Sequence, residues 1–163
     1  MQKFIPSLFI IFICSFSVAQ EPSAEHKTLQ TLAGRWTLQG LEDRFLEICE
    51  VYPGGYFLVC NAEFKLKSGA LSKSVSILGY SVEDGHSTYY HYGSRGESQT
   101  LTGRIDLSGN FHFEGVDIID GKPANLRISM TKGEGQNYNF KEETSIDGGP
   151  WETTAELVYI RLE

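Results

Sequence analysis

From Trp36 to the end of the chain, turn chemistry returns about every dozen residues, and this metre restricts the fold more than any other feature of the sequence. Turn formers cluster at Gly40 to Asp43, Pro53-Gly54-Gly55, Lys67-Ser68-Gly69, Glu83-Asp84-Gly85 and Ser94-Arg95-Gly96. They return at Leu107 to Asn110, Asp120-Gly121-Lys122, Lys132 to Gly135 and Asp147-Gly148-Gly149-Pro150. Nine turns separate ten candidate strands, all joined as hairpins without a long crossover.

Between the turns, apolar residues recur every second position: Leu101, Gly103 and Ile105, then Phe111, Phe113 and Gly115, then Leu126, Ile128 and Met130, then Tyr138 and Phe140. The intervening residues, such as His112 and Glu114 or Arg127, Ser129 and Thr131, are polar. Each strand therefore has one dry and one wet face. A flat sheet of this length would expose two edges, and closure into a barrel removes them. The expected fold is all-β, an antiparallel up-and-down barrel of about ten strands, with a two-sheet sandwich as the competing arrangement.

One short helix precedes the strands. Pro22-Ser23 can start it with Ser23 as cap, His26 to Leu32 carry it, and Gly34 lies where a helix ends. Its apolar stripe, Leu29 and Leu32, suits a plug for one mouth of the barrel. In such a barrel the first and last strands are neighbours, so Trp36 and Arg161 are expected to stack across the seam as a structural device rather than a ligand site.

Ahead of this lies Lys3, an apolar run from Phe4 to Ile13, and small residues up to Ala19, the pattern of a secretory signal peptide over residues 1–19. Ile13 before Cys14 argues against a lipid-attachment cysteine. The expected product is a periplasmic or extracellular domain over residues 20–163, without stable membrane insertion. The formal charge of −7 argues against nucleic acid or an anionic membrane as partner.

Cys49 and Cys60 flank Pro53-Gly54-Gly55. If Gly54-Gly55 is a two-residue loop, the cysteines face each other at a hydrogen-bonded position, with Cα atoms about 5.5 Å apart. They are then either a disulfide bracing the hairpin or two buried, inert thiols. No Cys-x-x-Cys suggests redox chemistry.

The segments His26-Lys27 with Leu29 and Leu32, Gly34-Arg35-Trp36, Gly79-Tyr80, Tyr89-Tyr90-His91-Tyr92, Gly103, and Gly121-Lys122 followed by Arg127 resemble the bacterial family called domain of unknown function 1579. So do Tyr138-Asn139-Phe140, Glu143 to Trp151 and Tyr159-Ile160-Arg161. The resemblance implies a calycin, or lipocalin-like, barrel, whose relatives mostly bind small apolar molecules. A haem-binding branch of that superfamily uses a histidine near the C-terminal strands. Residues 132–163 contain no histidine, and no cofactor is expected.

Catalytic and metal patterns are sparse. The histidines at 26, 86, 91 and 112 lack zinc-ligand spacing and are expected on the surface or in loops, His91 lying among tyrosines. Ser94 is a turn residue rather than a nucleophile. Asp117, Asp120 and Asp147 are expected in loops, as turn formers rather than a calcium loop. Glu142 and Glu143 point to opposite faces, and alternation with Phe140 aims Glu142 inward.

The expected ligand-lining residues are Leu101 and Ile105, Phe111 and Phe113, Leu126, Ile128 and Met130, and Tyr138, Phe140 and Glu142. The leading expectation is a carrier of a small hydrophobic ligand. The alternatives are an enzyme using Glu142, His91 or a tyrosine for acid/base chemistry, and a solid barrel whose surface does the work. The sequence leaves the oligomeric state open.

Overall fold

Hairpins joined in sequence, each strand with one apolar face, can bury those faces together only by curling. In the computed structural model, which describes residues 21–106 and 108–162, they do so completely. The signal-peptide segment and Cys14 lie outside the described residues.

The helix α1 (Ala24–Gln30) precedes ten strands. These are β1 (Gly34–Leu38), β2 (Phe45–Val51), β3 (Phe57–Lys65), β4 (Leu71–Ser81) and β5 (His86–Gly93), followed by β6 (Ser98–Ile105), β7 (Phe111–Ile119), β8 (Lys122–Lys132), β9 (Tyr138–Ile146) and β10 (Glu152–Leu162). Every strand pairs antiparallel with its sequence neighbours, and β1 pairs with β10 to close the barrel. The sandwich is thereby set aside.

The seam has the expected register, with Trp36 opposite Arg161. The Arg161 guanidinium lies 4.7 Å from the indole centroid. It also donates to the carbonyls of Thr31 and Ala33, both at 2.7 Å. Carbonyls at a helix end have no intrahelical partner, so Arg161 satisfies two backbone acceptors while covering the ring. Gly34 makes room: its φ is +140°, and a Cβ there would lie 3.4 Å from the Arg161 Cζ.

α1 begins after Ser23 as expected but ends two residues earlier than the apolar stripe suggests. Leu29 and Leu32 are buried in the common core. His26 departs from the expectation of a surface position: it is 2% exposed, and Nδ1 accepts from the Ser23 backbone N–H at 3.0 Å. Nε2 is then left to donate to the Tyr80 carbonyl, also at 3.0 Å. The ring thus ties the helix to the end of β4.

Two glycines set the barrel's tight side. A Cβ at Gly103 would strike the His112 backbone carbonyl, and one at Gly115 would lie 2.8 Å from the Thr100 carbonyl oxygen. These contacts place β6 and β7 closer than side chains allow. Asp120, with φ +50°, and Gly121, with φ +76°, form the two-residue turn between β7 and β8. Asp147 also takes a positive φ in its turn. Asp117 is not in a loop; it pairs with Ala124 inside β7.

Candidate functional site

The register that aligns Trp36 with Glu47, and Leu78 with Tyr89, brings a polar cluster into an otherwise apolar interior. A cavity of about 50 Å³ lies there. Leu32, Trp36 and Tyr138 form its wall towards α1, with the Cys49–Cys60 disulfide and Leu78 beside them. Phe113, Ile128, Met130 and Phe140 line another side. The polar part is Glu47, Ser76, Tyr89 and Tyr159.

Of the residues expected to line a pocket, Phe113, Ile128, Met130, Tyr138 and Phe140 reach the cavity. Leu101, Phe111 and Leu126 are buried in the core, and Ile105 packs against it, but all four lie off the cavity wall. Glu142 stands opposite Ile128, on the inward register. Its carboxylate is not on the wall; it accepts a 2.8 Å bond from Thr154 Oγ1, where β10 breaks register between Thr153 and Ala155. The bulge supplies a partner that strand alternation does not foresee. Glu143, on the outer face, pairs with Arg127 at 2.7 Å and Lys141 at 2.9 Å. Hydrogen bonds from those two cations hold its carboxyl down at about 2.

The cysteines are joined as a disulfide, with Cα atoms 3.9 Å apart. They are direct partners, but not at a hydrogen-bonded position. Pro53 has no N–H with which to close a two-residue loop, so the hairpin closes one pair further out, through the Tyr52 N–H to the Phe57 carbonyl at 3.0 Å. That shift exchanges the narrow and wide positions of the ladder and puts the cysteines where Cα atoms approach most closely.

Glu47, Tyr89 and Tyr159 follow from the same alternation when it is extended: Glu47 is two residues before Cys49, and Tyr159 two before Arg161. Among the described residues no hydrogen bond or ion pair reaches the Glu47 carboxyl. Burial pushes it up to about 7. Tyr89 is pushed up to about 12, first by burial, against a lowering bond from Ser76, and further by the carboxylates of Glu47 and Glu142. Tyr159 is raised by burial and then by Glu47.

Ser76 Oγ lies 3.0 Å from His91 Nδ1 and 3.3 Å from the Tyr89 hydroxyl. His91, far from a loop, is on β5 facing inward, and burial pushes its pKa down. The interior therefore presents a neutral imidazole, neutral phenols and a carboxyl poised between its two states.

Glu47, Cys49 and Cys60 place three potential metal donors within 4.8 Å of one another. Both sulfurs are consumed by the disulfide, leaving one carboxylate, too few donors for a metal centre. Haem fits no better: β9 and β10 offer no histidine, His91 Nδ1 is engaged by Ser76, and the space is far smaller than a porphyrin.

A family model described as a protein of unknown function, DUF1579, matches residues 21–161. No curated protein matches the chain.

Proposed function

This chain belongs to DUF1579, a family described only as proteins of unknown function, and on that premise we propose that it is an exported protein that holds a small, mainly apolar molecule inside its barrel. The carrying observation is the cavity, walled by apolar and aromatic side chains except for the patch of Glu47, Ser76, Tyr89 and Tyr159. Burial of apolar surface contributes about 25 cal/mol per Å² to retention, and the few polar groups orient the guest. At about 50 Å³ the space suits a molecule, or the end of one, with a few heavy atoms. Export rests on the leader-like residues 1–19 and on the disulfide, which suits an oxidising compartment.

Native mass spectrometry of the protein from its own envelope or medium tests this, with NMR titration by 1-propanol as a companion. A small bound mass, or shifts confined to cavity residues that disappear in Ile128→Trp, is expected. A bare protein whose cavity resonances ignore the alcohol would overturn the proposal.

One observation favours a second reading, acid/base catalysis: a carboxyl near 7 can both give and take a proton at neutral pH. Recovery of the captured molecule chemically altered, with the change abolished by Glu47→Gln, would select it.

A further inference from the structure

We infer that the interior selects a small organic ammonium ion, with the Glu47 carboxylate as its counter-ion and the surrounding rings as its cage. This rests on the interior-binding proposal and names the ligand class for it. Three observations carry it. Glu47 lines the cavity from the centre of β2, and among the described residues nothing bonds its carboxyl oxygens. Glu47 is only partly buried and its carboxylate keeps some contact with solvent, yet the wall supplies no cation to offset the hydration it loses. None of the wall residues is a lysine, arginine or histidine.

The second observation is the aromatic enclosure. Trp36, Tyr89, Phe113, Tyr138, Phe140 and Tyr159 all border the same small space. Ring faces carry negative potential and attract ammonium groups most strongly where water is excluded. The Trp36 ring has its other interaction with a cation already, Arg161 at 4.7 Å. An ammonium in the cavity would meet aromatic surface together with one carboxylate.

The third is the sign of the field. The titratable and charged groups on the interior register with Glu47 are Tyr159 and Arg161 of β10, Tyr89 and His91 of β5, and Tyr138 and Glu142 of β9. Counting Glu47 itself, two are carboxyls, three are phenols, and His91 is driven towards its neutral form by burial. The one permanent cation, Arg161, is absent from the cavity wall and is engaged by the Trp36 ring and the carbonyls of Thr31 and Ala33, so no group on the wall repels a cation. An anionic guest would instead meet the Glu47 carboxyl on the wall and the field of Glu142 beyond it, and a neutral guest would leave Glu47 without a counter-charge.

Propylammonium chloride, 1-propanol and sodium propanoate, nearly matched in shape, separate these cases by NMR titration of the oxidised protein. Propylammonium is expected to bind at pH 8 at least about tenfold more tightly than the alcohol, with a roughly millimolar Kd set by its few atoms. Its affinity should fall about tenfold from pH 8 to pH 6, as Glu47 takes up its proton, while that of 1-propanol stays level. Glu47→Gln should remove both the preference and the pH slope and keep alcohol binding. If that variant does not fold, the two pH profiles of the unaltered protein decide alone. Equal or better binding of the alcohol or the acid anion would overturn the ammonium assignment and leave interior binding standing. Failure of all three probes would overturn both.

Discussion

A glutamate that stands within a strand, inside a barrel, and bonds to nothing among the described residues is a cost to folding, and Glu47 should reveal that cost through pH. Its carboxyl titrates near 7 in the folded protein against 4.5 for the ordinary group, because burial disfavours its charge. Between those values the folded protein holds a proton that the unfolded chain has released. Stability from this residue is therefore present below about pH 4.5, declines as pH rises through 7 and stays lost above it. The shift corresponds to about 3 kcal/mol. Glu47→Gln keeps the shape without the ionisation, so it should match the unaltered protein at pH 4.5 and exceed it by up to about 3 kcal/mol at pH 8. Urea titrations at the two pH values measure the difference. Asp106 and Glu143, both held at about 2 by hydrogen bonds, act with the opposite sign at lower pH and cancel between the two proteins. Equal midpoints at pH 8 would show that Glu47 meets a partner or water that relieves its burial.

At the scale of the element, the β2–β3 hairpin positions that carboxyl. Its register is pinned at Tyr52 and Phe57 and again at the disulfide, two residues beyond Glu47. Replacing both cysteines by alanine should cost about 3 kcal/mol through the freed unfolded chain, read as a lowered denaturation midpoint. The β6–β7 hairpin depends instead on closeness. Gly103→Ala forces a methyl group into the His112 carbonyl and should cost about 1–3 kcal/mol or prevent folding, whereas Gly85→Ala, with open space around it, tests only backbone strain. The elements were largely legible, because hairpin turns and period-two alternation are local signals carried by residues such as Asp120, Gly121, Phe111 and Phe113. The site was half legible. Alternation identified Phe113, Ile128, Met130, Tyr138 and Phe140, but it cannot say which core residues border an empty space. Leu101 and Phe111 alternate equally well and sit in filled parts of the core. Nor could it show that a bulge hands Glu142 to Thr154. Glu47 was readable from its two-residue step to Cys49, although a lone carboxylate on an apolar face carries no sign of its own that it borders a cavity.

For the whole molecule, the decisive contact is the one that turns a ten-stranded ribbon into a closed surface. β1 has only five residues, so the seam with β10 has few backbone bonds to rely on. Arg161 compensates by gathering three separate parts of the chain: the indole of β1, the carbonyl of Thr31 just after α1, and the carbonyl of Ala33 just before β1. Trp36 Nε1 completes the junction with a 2.8 Å bond to the Leu32 carbonyl. Arg161→Ala should therefore remove about 2–4 kcal/mol, combining the ring contact with two charge-assisted bonds. Arg161→Lys should recover less than half of that, because an ammonium cannot both lie flat on the indole and fork to two carbonyls. Thermal denaturation gives the loss, and hydrogen exchange along β1 and β10 shows whether it falls at the seam. In the folded fraction of either variant propylammonium affinity should be unchanged, since Arg161 does not line the cavity and Glu47 is untouched. A loss of affinity at unaltered stability would move Arg161 from closing the barrel to holding its contents.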